Sequence, residues 1–125
     1  MKFPKDLYYS SEHTWVKVDG DTATIGISDF AQNQLGEILF VEVPEIDEKI
    51  VQDKTFGVVE SSKQASDLIA PISGTVLEVN EKLEDEPEYI NEDCYDGWIA
   101  KVKLDDVGQV KKLMDAAAYE ASVAK

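Results

Sequence analysis

The chain carries one cysteine and one histidine among its 125 residues. A lone Cys94 excludes a disulfide framework and any thiolate-pair metal site. With only His13 beside it, little material remains for a Cys–His nucleophile pair. No G-x-S-x-G elbow, phosphate-cradling loop, G-x-G-x-x-G turn or H-E-x-x-H helix occurs. Carboxylates are plentiful, yet no pair stands apart from the solvated background, so a self-contained catalyst is not expected. Long apolar runs are missing as well: nothing spans a bilayer, and MKFPKDLYYSSEHTW lacks the apolar centre of a signal peptide. With Met1 opening the chain, the expectation is an uncleaved cytoplasmic protein in a reducing compartment. Positive charge is scarce, 12 basic against 26 acidic residues for a net charge of −14. Such a field repels phosphate backbones and anionic lipid heads, which argues against nucleic-acid and membrane partners. It favours partners with basic docking faces, and it also keeps a protein soluble without any partner.

What is present describes a globular chain of one domain, residues 1–125, with 43% hydrophobic residues, two Trp, five Tyr and four Phe. Strand patterns dominate up to about residue 104. Val16 and Val18 share a face in Thr14–Val18; Ala23, Ile25 and Ile27 share one in Thr22–Ile27, after the Asp-Gly turn of VDGDT. SDFAQNQLG reads as a short helix with Ser28 as N-cap and Gly36 as its stop. Ile38–Val43 is nearly all apolar and is expected to lie centrally, ended by Pro44. Phe56–Val59 and Thr75–Val79 follow, the latter after a Pro71–Gly74 turn, and Trp98–Leu104 alternates with Trp98, Ala100, Val102 and Leu104 on one face. From residue 105 the period changes: Val107, Val110, Leu113, Met114 and Ala117 make one helical stripe, a coat helix on a β core. A short repeat, Val41–Glu45 against Leu77–Glu81, suggests two β-rich halves joined by a hairpin over residues 60–73.

Lys63 stands at the tip of that hairpin, in ESSKQASD, residues 60–67. An exposed turn lysine ordinarily serves solubility. Here Ser61, Ser62, Gln64, Ala65 and Ser66 leave its ammonium nothing adjacent to pair with. The flanking strands are strongly specified, and Glu60 and Asp67 frame it with negative charge that an enzyme could read. A reactive group on a long stem, presented from a stiff hairpin, is the pattern of a covalent modification site. His13, at a strand start, reads as a structural hydrogen-bonder. Cys94, with no basic neighbour to lower its pKa, reads as a small loop filler.

FGVVESSKQASDLIAPISGTVLEVN, Phe56 to Asn80, closely resembles the lipoylation segment of the glycine cleavage H-protein family. The likeness continues through HTWV (His13–Val16), TIGISDFAQNQLGEILFVEVPE (Thr24–Glu45), PEYIN (Pro87–Asn91) and Gly97-Trp98. The resemblance implies a mainly β, hybrid barrel-sandwich (lipoyl/biotinyl-type) domain with a short internal helix, a lipoyl hairpin over about 56–80 and a C-terminal helical segment over about 105–121. It implies lipoate joined to Lys63 by an amide, attached by a lipoate ligase or lipoyl/octanoyl transferase. It further implies a non-catalytic carrier in glycine catabolism and one-carbon metabolism. A pyridoxal-phosphate glycine decarboxylase would load an aminomethyl group on the arm, a folate-dependent aminomethyltransferase would remove it, and a flavin-dependent dihydrolipoyl dehydrogenase would reoxidise the dithiol.

By the same resemblance, Asp67 matches a position suited to hold the loaded amine, and the strand-start segment Glu12, His13 and Thr14 forms the other wall, with Glu60 beside the tip. The family often has an acid where this chain has Thr14; here the acid is Glu12. Ser62 and Gln64 replace a common Val and Ala, Asp47 replaces a usual glycine whose positive φ aspartate tolerates, and Cys94 stands where Pro or Ser is common. An H-like lipoyl carrier serving sulfur metabolism or lipoyl relay remains an alternative. So does an unmodified β adaptor acting through its acidic surface. A biotin carrier is disfavoured, because methionines flank its lysine where Ser62 and Gln64 stand here.

Overall fold

The computed structural model of the chain describes residues 2–124. In chain order its strands and helices are β1 (Tyr8–Tyr9), β2 (Thr14–Asp19), β3 (Thr22–Ile27), α1 (Asp29–Leu35), β4 (Ile38–Glu42), β5 (Lys49–Ile50), β6 (Thr55–Ser61), β7 (Ala65–Ile69), β8 (Gly74–Val79), the one-turn helices α2 (Lys82–Asp85) and α3 (Tyr89–Glu92), β9 (Ala100–Leu104), a 3-10 helix (Val107–Lys112) and α4 (Ala116–Val123). The strands form two antiparallel sheets, one in the order β1-β2-β3-β9-β8-β5 and the other β4-β6-β7. This is the barrel-sandwich arrangement, mainly β with an internal helix and a C-terminal helix.

Local chemistry accounts for the frame. Gly20 at φ +64° makes the two-residue turn that sets Asp19 opposite Thr22 and Val16 opposite Ile25. Ala23, Ile25 and Ile27 of β3 then all point into the core, where Val16, Ile72, Val76, Ile90, Ile99 and Val102 are also buried. Ser28 caps α1 by accepting from the Ala31 N–H, and Gly36 ends it at φ +79°. Asp47, at φ +74°, occupies the left-handed conformation that aspartate tolerates.

Two expectations are corrected. The apolar run Ile38–Val43 is not central: β4 is an edge strand, paired among the described residues only with β6. A register shift between Ile38 and Phe40 breaks the alternation, so Leu39 and Phe40 are 55% and 51% exposed while Ile38 and Val41 stay buried. The C-terminal segment is not one helix on the stripe Val107–Ala117. The 3-10 helix ends at Lys112, and Met114 then bonds through its backbone to Tyr9 in both directions at 2.8 Å. Asp115 restarts the chain as α4 by accepting from the Ala118 N–H at 2.8 Å. The open edge of β1 offers Met114 a sheet partner that a helix would forgo. Val110 is buried as expected, whereas Val107 is half exposed and the anchor of α4 is Tyr119, fully buried with Leu7, Tyr9, Trp15 and Ala116 in a second apolar cluster. No helix among the described residues is long and apolar enough to cross a membrane.

Candidate functional site

The hairpin of β6 and β7 carries Lys63 on its tip. Glu60 pairs with Ala65, and beyond them the Ser61 N–H donates to the Gln64 carbonyl at 2.8 Å. Ser61 Oγ accepts from the N–H groups of Lys63 and Gln64 at 3.2 and 3.1 Å, closing a tip too short for a full ladder. The Ser62 N–H reaches across to the Glu37 carbonyl at 3.0 Å, tying the tip to the corner between α1 and β4. Backbone is therefore held while the side chain of Lys63 is exposed and makes no ion pair among the described residues. Its stem runs over Gly36.

Beside the tip lies a cleft of about 240 Å³ between α1, the turn before β2, and the two strands of the hairpin. Its floor is apolar, from Ile27, Phe30, Leu35, Val59 and Leu68, and its rim carries Glu12 and Asp67 with Gln34, Gln64 and Ser66. The cleft thus brings together Glu12, His13, Thr14 and Asp67, residues separated by more than fifty positions in the chain. Glu60 is not among the lining residues; it is exposed, opposite Phe40 on β4.

Thr14 cannot serve as the acidic wall. It is buried, its hydroxyl pairs with Ser10 Oγ at 2.6 Å and donates to the Ile69 carbonyl at 3.4 Å, so it links the two sheets at the cleft floor. Glu12 stands exposed two residues away, with its backbone N–H on Ser10 Oγ. His13 takes φ +68°, an uncommon conformation for a residue with a side chain. Its carbonyl accepts from the Ser28 N–H at 2.9 Å and its Nδ1 hydrogen-bonds Tyr119 OH at 2.8 Å. Burial holds its pKa below the ordinary histidine value, with the Glu12 carboxylate pulling the other way. Cys94 lies away from the cleft, buried, its thiol pushed up to about 12 chiefly by desolvation, with Asp29 and Asp93 adding to the rise.

Sequence reasoning did not reach Phe30, Gln34 or Tyr119. The first two lie four residues apart on the cleft side of α1, a spacing that its helical period indicates; Tyr119 lies on α4, beyond the stripe Val107–Ala117 that the sequence pattern marks. Among the described residues no cluster of three His, Cys, Asp or Glu side chains is suited to a metal ion.

An apolar floor with a carboxylate rim can hold a hydrocarbon chain ending in a cation, and the presented lysine stands within reach of it. Fold and site together define a lysine-presenting barrel-sandwich protein. Comparison with known proteins narrows this further. The family model described as glycine cleavage H-protein matches residues 7–125. The glycine cleavage system H protein of Clostridioides difficile is 60% identical over 124 residues, covering 98% of this chain and 99% of its own. That of Staphylococcus saprophyticus is 52% identical over 124 residues, covering 98% of each. The crystal structure of a glycine cleavage system H protein from Mycobacterium marinum superposes with a TM-score of 0.88 at 36% identity, over 95% of this chain and 97% of that one. The chain belongs to the glycine cleavage H-protein family.

Proposed function

We propose that this chain is the lipoyl-bearing carrier of glycine cleavage, one carrier domain over residues 1–125 working in the cytoplasm, with lipoate in amide linkage to Lys63 Nζ. The observation that carries this reading is an exposed lysine on the hairpin tip, next in the chain to Gln64 of an apolar cleft that Glu12 and Asp67 also line. Lipoate, once attached, supplies the dithiol on which an aminomethyl group travels between enzymes. The residues of the chain do the rest. Amide formation removes the lysine charge, so the stem can lie on apolar surface without desolvating an ammonium. Ile27, Phe30, Leu35, Val59 and Leu68 offer that surface and exclude water from it. Glu12 and Asp67 balance a cationic amine, Glu12 taking the part that Thr14 cannot. Glu60, outside the cleft, belongs to the face that the attaching ligase or lipoyl/octanoyl transferase reads.

The chain is a carrier and does no chemistry of its own. Its partners in this reading are glycine decarboxylase, aminomethyltransferase and dihydrolipoyl dehydrogenase, each met at high effective concentration because the arm is tethered. The test is intact mass after incubation with lipoate, ATP and a lipoate ligase. A lipoyl adduct is expected on the wild type and none on Lys63→Arg; an adduct that persists in Lys63→Arg places the modification elsewhere. The lipoylated protein is then expected to support glycine–bicarbonate exchange with glycine decarboxylase. An adduct without exchange points instead to an H-like carrier of sulfur metabolism or lipoyl relay.

A further inference from the structure

Beside the cleft, a relay of hydrogen bonds, buried at Ser28 and part-buried at His13, joins residues from three separate parts of the chain. Ser28 Oγ lies 2.7 Å from Tyr119 OH, and Tyr119 OH lies 2.8 Å from His13 Nδ1, across 106 residues of sequence. Its protons can be counted. Ser28 Oγ already accepts from the Ala31 N–H at 3.1 Å as the cap of α1, and its own proton has no acceptor among the described residues other than the Tyr119 oxygen. Tyr119, receiving that proton, has His13 Nδ1 as the acceptor for its own. In that arrangement Nδ1 is the acceptor and the imidazole proton sits on Nε2.

The relay is held from below. Tyr119 is fully buried, its ring stacked on Tyr9 at 4.7 Å and 4° and met edge-on by Phe3 at 5.7 Å. The ring of His13 is confined between Phe30 at 4.9 Å and Tyr119 at 5.8 Å, on a backbone whose positive φ is maintained by the bonds to Ser10 and Ser28.

We propose that Tyr119 is a positioning residue for the cleft: directed by Ser28, it fixes His13 as the neutral imidazole with its proton on Nε2, so that the wall beside Glu12 and Asp67 carries no competing cation. Protonating His13 would turn Nδ1 into a donor toward a Tyr119 oxygen that already accepts from Ser28, and would leave the Tyr119 proton without an acceptor in a buried site. The charge nearest the imidazole pulls against this neutrality. Glu12 beside it favours a charged imidazole, and Asp67 lines the same cleft from β7, so neutrality has to come from burial and the relay. Tyr119 from α4 is itself held in the protonated form by desolvation, as is Tyr9 beneath it. Asp29, next along α1, is engaged by the Lys2 N–H and the Gln32 side chain. The use made of this neutrality, leaving both carboxylates to a cationic amine, rests on the carrier reading above.

The experiment is nitrogen NMR of the His13 imidazole in the unloaded full-length protein, titrated with pH. The wild type is expected to show the Nε2–H tautomer and a pKa below 6.5. Tyr119→Phe is expected to lose the single tautomer and to raise the pKa only part of the way, because the burial of the imidazole persists, with the amide spectrum otherwise folded. Ser28→Ala, which keeps Tyr119 but removes the group that orients it, is expected to scramble the tautomer too. A wild-type Nδ1–H tautomer overturns the proposal, even if both variants misfold. So does a Tyr119→Phe spectrum with the tautomer and pKa of the wild type. Absence of a lipoyl adduct on Lys63 would sink the carrier reading and leave these spectra unchanged, so the two failures are distinguishable.

Discussion

The stem of Lys63 crosses Gly36 so closely that a β-carbon on the glycine would lie 3.3 Å from Lys63 Cε and 3.7 Å from Nζ. Gly36 also sits at φ +79° and ψ −152°, a region that residues with a side chain avoid. Gly36→Ala is therefore expected to act twice. It costs about 1–3 kcal/mol of stability through backbone strain, read from the urea midpoint, and it slows attachment of lipoate at Lys63, read from the time course of the intact mass. Gly20→Ala, also at positive φ but with nothing within 4 Å of the added carbon, shares the first effect and lacks the second.

The two rim carboxylates test the carrier reading with little effect on the fold. Glu12 and Asp67 are both exposed, so Glu12→Gln and Asp67→Asn are expected to change stability by no more than about 0.5 kcal/mol. Both are expected to shorten the lifetime of the aminomethylated arm in water. Thr14→Val, by contrast, removes the buried link to Ser10 and Ile69 and is expected to cost about 1–3 kcal/mol. Equal lifetimes in wild type and Asp67→Asn would remove Asp67 from the cleft's function.

Along β4 the edge position sets the energetics. Ile38 is 1% exposed and Leu39 is 55% exposed. Ile38→Ala is expected to cost about 2–5 kcal/mol, whereas Leu39→Ala stays within about 0.5 kcal/mol. Chemical denaturation of the two variants checks this directly. Comparable losses would mean that β4 is covered on both sides, as its apolar run alone suggests.

Stability should also depend on His13. Its folded pKa is depressed, chiefly by burial, so just below the unfolded value of about 6.5 the unfolded chain binds more protons than the folded one. The stabilisation it provides is present above about pH 6.5 and is lost as pH falls through the folded pKa. His13→Asn keeps a residue tolerant of positive φ and removes the titration. Between about pH 7.5 and pH 5.5 the wild type is expected to lose more of its Tm than the variant does. Parallel curves would show that His13 titrates alike in both states.

The reach of the sequence follows from the range of the forces involved. Ser28 as a cap, Gly36 as a stop, the Gly20 turn, the inward set Ala23, Ile25 and Ile27, and Lys63 on a tip are consequences of φ/ψ preference and side-chain period, both set within a few residues. The sequence by itself determined these, and the family likeness added the meaning of Lys63. Only the tertiary structure decided what depends on who covers whom. Ile38–Val43 is apolar enough for a central strand, but a register shift and the absence of a further neighbour among the described residues put Leu39 and Phe40 in water. The last segment has a helical stripe, but the open backbone of β1 captured Met114 and broke the helix there. Glu12, His13, Thr14 and Asp67 come to line one cleft because two sheets meet, and His13 is hydrogen-bonded through Tyr119 to Ser28, partners that no local pattern connects to it.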